Sequence, residues 1–146
     1  MSLAKIVYNA GAGAVTLQCA RGPRNFRCWY KSRVHDNLAT SGIRERVVEA
    51  HDILIAFEMP ALRVGDDLDD WAVFMKWALG GGAFEFYPDA ALATKYNCVS
   101  DDEGFEPVWT APGQYAAAFK LRIVPDSLFP ADPSVVMLRF YGVAAT

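Results

Sequence analysis

The sequence predicts an α+β domain: a mostly antiparallel β-sandwich or barrel with one flanking α-helix, over about Asp66–Leu79. Three observations lead there. Most apolar runs are short and alternate with polar residues at period two, as half-buried strands do. One segment alone carries clear helical spacing. The connections between runs are too short for parallel crossovers, which leaves antiparallel pairing. A chain of 146 residues is the common size of one domain. With 53% hydrophobic and 21% charged residues, it has enough apolar surface to offset chain entropy, which excludes chain-wide disorder.

Along the chain, Lys5 to Asn9 and Val15 to Cys19 read as strands joined by the turn-forming Ala10–Ala14, with Val15, Leu17 and Cys19 on one face. Arg21 to Lys31 reads as an irregular basic segment, and Arg33 to Gly42 as a polar loop. Ile43 to Met59 is a strand region that presents Ile53, Ile55, Phe57 and Met59 on one face, and Pro60 ends it. Asp66 or Asp67 caps the helix, and Asp69 and Asp70 sit at its positive end. Leu68, Trp71, Ala72, Met75 and Leu79 form its buried stripe, widened by Phe74 and Trp77. Gly80-Gly81-Gly82 stops it. Phe84 to Tyr87 and Tyr96 to Val99 are short strands. Phe105 to Trp109 and Tyr115 to Val124 form a hairpin around Ala111-Pro112-Gly113, with Tyr115, Ala117, Phe119, Leu121 and Ile123 facing inward. Pro125 to Pro133 breaks the pattern, and Val135 to Val143 reads as a last strand. The whole of 1–146 is expected to be one domain, with an extension strand after Pro133.

Charge and cysteine content narrow the function classes. The net charge of −3 and pI near 5.3 create no overall field for nucleic acid or an anionic membrane. No run approaches the ~20 apolar residues of a membrane helix, and the N-terminus lacks a signal-peptide core, so a cytoplasmic origin is expected. A mean hydropathy of +0.10 is high for a small soluble monomer, and such surface is often covered by a partner. Cys19, Cys28 and Cys98 are odd in number and widely spaced, which fits buried free thiols rather than a disulfide framework.

Candidate chemistry is sparse. Gly11-Ala12-Gly13 lacks the third glycine and following helix of a dinucleotide site, and no Gly-Lys-Ser/Thr exists for a phosphate loop. His35 and His51 stand alone without Cys-x-x-Cys, and Asp66–Asp70 lacks the glycine and terminal glutamate of a calcium loop. Cys28 with a histidine base would be the only nucleophile pairing, with no supporting signature. No catalytic residue, metal or cofactor is therefore expected. The basic stretch is more informative: Arg21, Arg24, Arg27, Trp29, Tyr30 and Lys31 have the composition of protein-contact hot spots. Single-strand nucleic-acid binding by charge and stacking is the competing reading, and the acidic chain disfavours it. A carbohydrate-binding sandwich with Trp29 or Trp109 stacked on a sugar is the alternative to an assembly role.

The stretch from Asp70 to Asp89 resembles a pattern of small tail proteins of tailed bacteriophages, the distal-tail and tail-tube group. It has Trp71, Phe74, Trp77-Ala78 and Gly81-Gly82 on a helix, leading into an aromatic strand closed by Tyr87-Pro88-Asp89. Tyr96, an acidic turn, Phe105, Trp109 and the strand Tyr115 to Val124 continue the likeness, and Ser41-Gly42-Ile43 with Arg46 to Met59 precede it, so it covers roughly Thr40 to Val124. The resemblance implies a virion protein: a structural tail subunit assembled in the host cytoplasm. It is expected to form homo-oligomeric rings at or near the tail tip, with other tail proteins as partners. It also implies contacts through loops and terminal extensions, the Arg21–Arg33 segment as a contact arm and the segment after Pro133 as a donated strand. Trp71, Trp77, Phe84 and Phe86 are expected in the core.

Overall fold

The computed structural model describes residues 4–19, 23–38, 42, 44–124 and 132–144, with 33–38, 44–51 and 143–144 as backbone alone. Eight strands and two helices are found among them. The strands are β1 (Lys5–Asn9), β2 (Ala14–Gln18), β3 (Arg24–Leu38), β4 (Arg44–Arg63), β5 (Phe84–Tyr87), β6 (Tyr96–Ser100), β7 (Val108–Ala111) and β8 (Gln114–Ile123). The helices are α1 (Asp67–Leu79) and α2 (Pro133–Ala144). All pairings are antiparallel, in one sheet of order β2-β1-β5-β6-β8-β4-β3, with β7 added on β8. The α+β, mostly antiparallel class expected from the sequence is therefore observed, as a single open sheet rather than two packed sheets or a closed barrel.

The sheet is strongly curled. Phe86 of β5 and Phe57 of β4 stack at 5.6 Å, although β6 and β8 separate their strands. Three strand spacings across a flat sheet would be about 14 Å. Phe26 of β3 also comes within 6.4 Å of Phe86. The inner face gathers Ile6, Tyr8, Ile55, Phe57, Met59, Phe84, Phe86, Tyr96, Cys98, Phe119, Leu121 and Ile123 into one buried cluster. Of these, Ile55, Phe57 and Met59 on β4 and Phe119, Leu121 and Ile123 on β8 share the faces expected from the sequence alternation, and Phe84 and Phe86 were expected in the core.

Helix α1 closes one part of this hollow. Its buried residues are Trp71, Phe74, Met75 and Ala78, so the stripe is rotated from the expected one and Leu79 is exposed. Trp71 lies 4.9 Å from Phe119 and 6.5 Å from Phe57, and Phe74 packs edge-on to Phe84 at 5.0 Å. Burying a side chain of this size contributes about 2–3 kcal/mol. Trp77 is only partly buried and packs on Tyr8. Its ring also covers Gly82, where an added Cβ would lie 2.5 Å from the indole, so the glycine is needed for space. The first-turn acids bind backward: Arg63 N–H donates to Asp67 Oδ1 at 2.7 Å and Gly65 N–H to Asp69 Oδ1 at 3.1 Å. Asp66 holds the N-cap position without a side-chain cap bond.

Three expectations need correction. First, Val135 to Val143 is not a strand, and among the described residues no extension strand follows Pro133. That segment is α2, and Val136 and Phe140 are buried in the core. Asp132 accepts from Ser134 N–H at 3.0 Å, and Pro133 fills the first helical position, where a missing N–H costs nothing. Second, Arg24–Leu38 is not an irregular segment followed by a loop. It is one long strand paired with β4, entered by a bulge in which Asn25 takes φ 56°. Third, Pro60 does not end β4, which runs on to Arg63 through a bulge between Met59 and Leu62. Arg21, Thr40, Ser41 and residues 125–131 lie outside the described residues.

Candidate functional site

The basic segment becomes a surface because it is a strand. Alternation on β3 puts Arg27, Trp29 and Lys31 on the outer face of the sheet, opposite Ala56, Leu54 and Asp52 of β4. Beyond β4, Lys120 and Arg122 of β8 continue the same rows, across from Ala56 and Leu54. Trp29 is the centre of this patch. The Arg27 guanidinium lies 5.2 Å and the Lys120 ammonium 5.9 Å from its ring. Such pairs contribute about 0.5–1 kcal/mol each at exposed sites. Under the ring rows, Leu54 and Ala56 are buried although they face away from the core.

The flanks of the patch are partly neutralised. Arg24 Nε donates to Glu58 Oε2 at 3.1 Å and Asn25 Nδ2 to the same oxygen at 3.0 Å. Both partners of this ion pair are well exposed, so it adds at most about 1 kcal/mol. Lys120 Nζ is 3.4 Å from Asp101. Lys120 N–H donates to Asp102 Oδ2 at 3.0 Å. Burial raises the Asp102 carboxyl above its usual range, and Asp101 adds to this, while the Lys120 N–H opposes it. Asn25, Arg27, Glu58, Asp102, Ala118 and Lys120 help line a groove of about 720 Å³ beside the indole.

The structure thus unites Arg27, Trp29 and Lys31 of the expected interface and sets Arg24 at its margin. It sends Tyr30 to the other face, where it is 43% exposed. Arg21 is outside the described residues. Lys120 and Arg122 were missed as members. Their signal was present in the sequence, since both occupy outward positions of the most regular strand, but their pairing with β3 runs through β4 and cannot be read from spacing.

Two further features were not expected. β8 leaves β4 at Leu54, while β3 and β4 stay paired out to Leu38 and Arg44. The distal part is a two-stranded ribbon on the order of 30 Å long, with no third strand among the described residues. At the opposite edge, β2 has β1 as its only neighbour among the described residues. Its sequence Ala-Val-Thr-Leu-Gln carries none of the charges, prolines or bulges that usually blunt an edge.

The thiol chemistry points away from catalysis at Cys28. It is buried, and burial pushes its thiol up to about 12, the opposite of what an activated nucleophile needs. Cys19 is likewise pushed up to about 12 by burial, and Cys98 also rises. Trp109 is 61% exposed on the β7–β8 hairpin, outside the groove beside Trp29.

No family model matches the chain, and no curated protein matches it in sequence. Among solved structures it is similar to a chain in the tail of an empty gene transfer agent particle, computed with helical refinement in C6 symmetry. The identity is 14% and the TM-score 0.46, over 86% of this chain and 92% of that one. It is also similar to a chain in the virion of a native gene transfer agent particle, at 14% identity and TM-score 0.48, over 84% and 92%. Likenesses this loose do not decide family or function.

Proposed function

We propose that this chain is a structural subunit of a bacteriophage or phage-like tail, acting by protein–protein assembly in the virion. On this reading it forms homo-oligomeric rings at or near the tail tip and contacts other tail proteins. The observation that carries the reading is the β3–β4 ribbon. An isolated two-stranded hairpin is at best marginally stable in water, so a ribbon of this length calls for a surface to lie on. The unblunted β2 edge and the outward Trp29 patch are further surfaces that suit a neighbour. The residues that carry the tail-protein resemblance form one packed unit: α1, the glycine stop under Trp77, and β5. The rival sugar-binding reading wants an indole lining a groove with polar groups around it; Trp109 stands on an open hairpin, and Trp29 is not among the residues that line the groove beside it.

Electron microscopy of the concentrated, purified chain tests the proposal. Rings or short tubes are the expected result. A monomer at every concentration that also fails to enter tails in a producing cell would count decisively against it.

A further inference from the structure

Resting on that assembly reading, we infer that the outer face around Trp29 is the docking surface for the acidic first turn of α1 of a second copy. The two patches are complementary in charge. On the receiving side, Arg27, Lys31 and Arg122 are exposed around a half-buried indole. No carboxylate of the described residues is in salt-bridge range of Arg27 or Arg122. On the entering side, the first turn of α1 carries Asp67, Asp69 and Asp70 after Asp66, and no base. Asp69 and Asp70 are exposed. The acidic turn Asp101-Asp102 already has a cation of its own chain beside it, Lys120, whereas among the described residues Asp69 and Asp70 have no cation in salt-bridge range.

The helix that carries the acids and the patch lie on opposite faces of the β4–β8 part of the sheet. Trp71 of α1 packs on Phe57 and Phe119, which point inward. Ala56 and Lys120, their neighbours in sequence and partners in register, point outward under the patch. A complementary pair on opposite sides makes a heterologous, head-to-tail contact, which closes into a ring or grows as a filament. An isologous dimer would need both patches on one side. The aromatic centre with arginine rim matches the composition of interface hot spots, and the charged rim sets register and partner choice.

The test is a charge swap in the full chain, followed by sedimentation velocity. The two variants are R27E/R122E and D69K/D70K, all at exposed positions, with thermal melts to confirm that both fold. Each variant alone brings like charges together and should associate at least tenfold more weakly than the wild type. Mixed together they restore both contacts, because the acidic platform of one meets the basic helix turn of the other, and assembly should return. Raising salt should weaken the wild-type assembly. If the wild type assembles but either folded variant does so equally well alone, or the mixture does not recover, this contact is wrong while the assembly reading survives. If the wild type never assembles, both fall together.

Discussion

Replacing Phe140 by alanine tests whether the C-terminal segment belongs to the body of the subunit. Phe140 is fully buried on α2, 6.1 Å from the Tyr96 ring and 5.5 Å from Tyr141. It sits where the helix covers β3, with Cys28 N–H donating to Tyr141 Oη at 2.9 Å. Removing the ring deletes buried apolar surface and leaves a cavity that the curled sheet cannot fill, and such truncations cost about 3–5 kcal/mol. That is a large share of the 5–15 kcal/mol typical of a domain. In a chain of this size it lowers the melting temperature by roughly 10 °C. Urea unfolding of the dilute subunit, followed by tryptophan fluorescence, reads the loss directly. Y141F serves as the milder companion. It removes one acceptor from a part-buried N–H, and because Tyr141 is 41% exposed, water can replace it, so about 1 kcal/mol is expected. A loss below 0.5 kcal/mol for Phe140→Ala would refute the docked helix and return the segment to the role of a free extension strand.

Other outcomes follow from single contacts. Gly82→Ala should cost about 1–3 kcal/mol by driving its methyl into the Trp77 ring, whereas Gly104→Ala, with open space around it, should be near neutral in the same melt. With thiols held near 12 at Cys19 and Cys28, the folded thiolate population is roughly a thousandfold below that of an ordinary cysteine. Ellman labelling should be slow in the native protein and rapid after unfolding, and fast native labelling at Cys28 would reopen a catalytic reading. These raised values also fix a pH dependence. The unfolded thiols ionise near 9 and the folded ones near 12, so the contribution is whole below about pH 9 and falls as pH rises through that window. Alkaline melts should show the decline. Asp102→Asn keeps an acceptor for Lys120 N–H and removes a carboxylate whose charge is disfavoured by burial and Asp101. At pH 7 it should be at least as stable as the wild type, with the difference shrinking as acid protonates the native carboxyl.

Where burial is one-sided and periodic, the fold was legible. β8 alternates cleanly because Ala117, Phe119, Leu121 and Ile123 face the hollow while Ala118 and Arg122 face out. α1 was marked by its acids, its aromatic spacing and its glycine stop. β3 was hidden because its outward positions carry an indole and long cations while the inward ones include Cys28 and Tyr30, so polarity does not alternate with facing. The Asn25 bulge also breaks its phase at the start. α2 was hidden by Val135 and Val136, β-branched residues in an almost uncharged run with little contrast between faces. Its one clear signal, Asp132 followed by Pro133, is an N-cap and first-turn pair. The patch around Trp29 was half legible. The Arg27–Lys31 composition marked an interface, but Lys120 and Arg122 join it only through strand order, which local sequence does not encode. The open sheet had the same origin, because curl and edge pairing depend on which strands meet.

The assembly claim is tested most directly by removing the ribbon and leaving the body. Replacing residues 34–49 with Asn-Gly closes the Arg33–Ala50 pair with a two-residue turn suited to a hairpin. Sedimentation velocity of this variant beside the full chain then gives the answer. The account predicts that the full chain sediments as multiples of 16.1 kDa, while the shortened chain, which keeps the Trp29 patch and α1, melts at the same temperature and assembles roughly tenfold or more weakly. Equal assembly by both chains, or a full chain that stays at a single copy at every concentration, would contradict it.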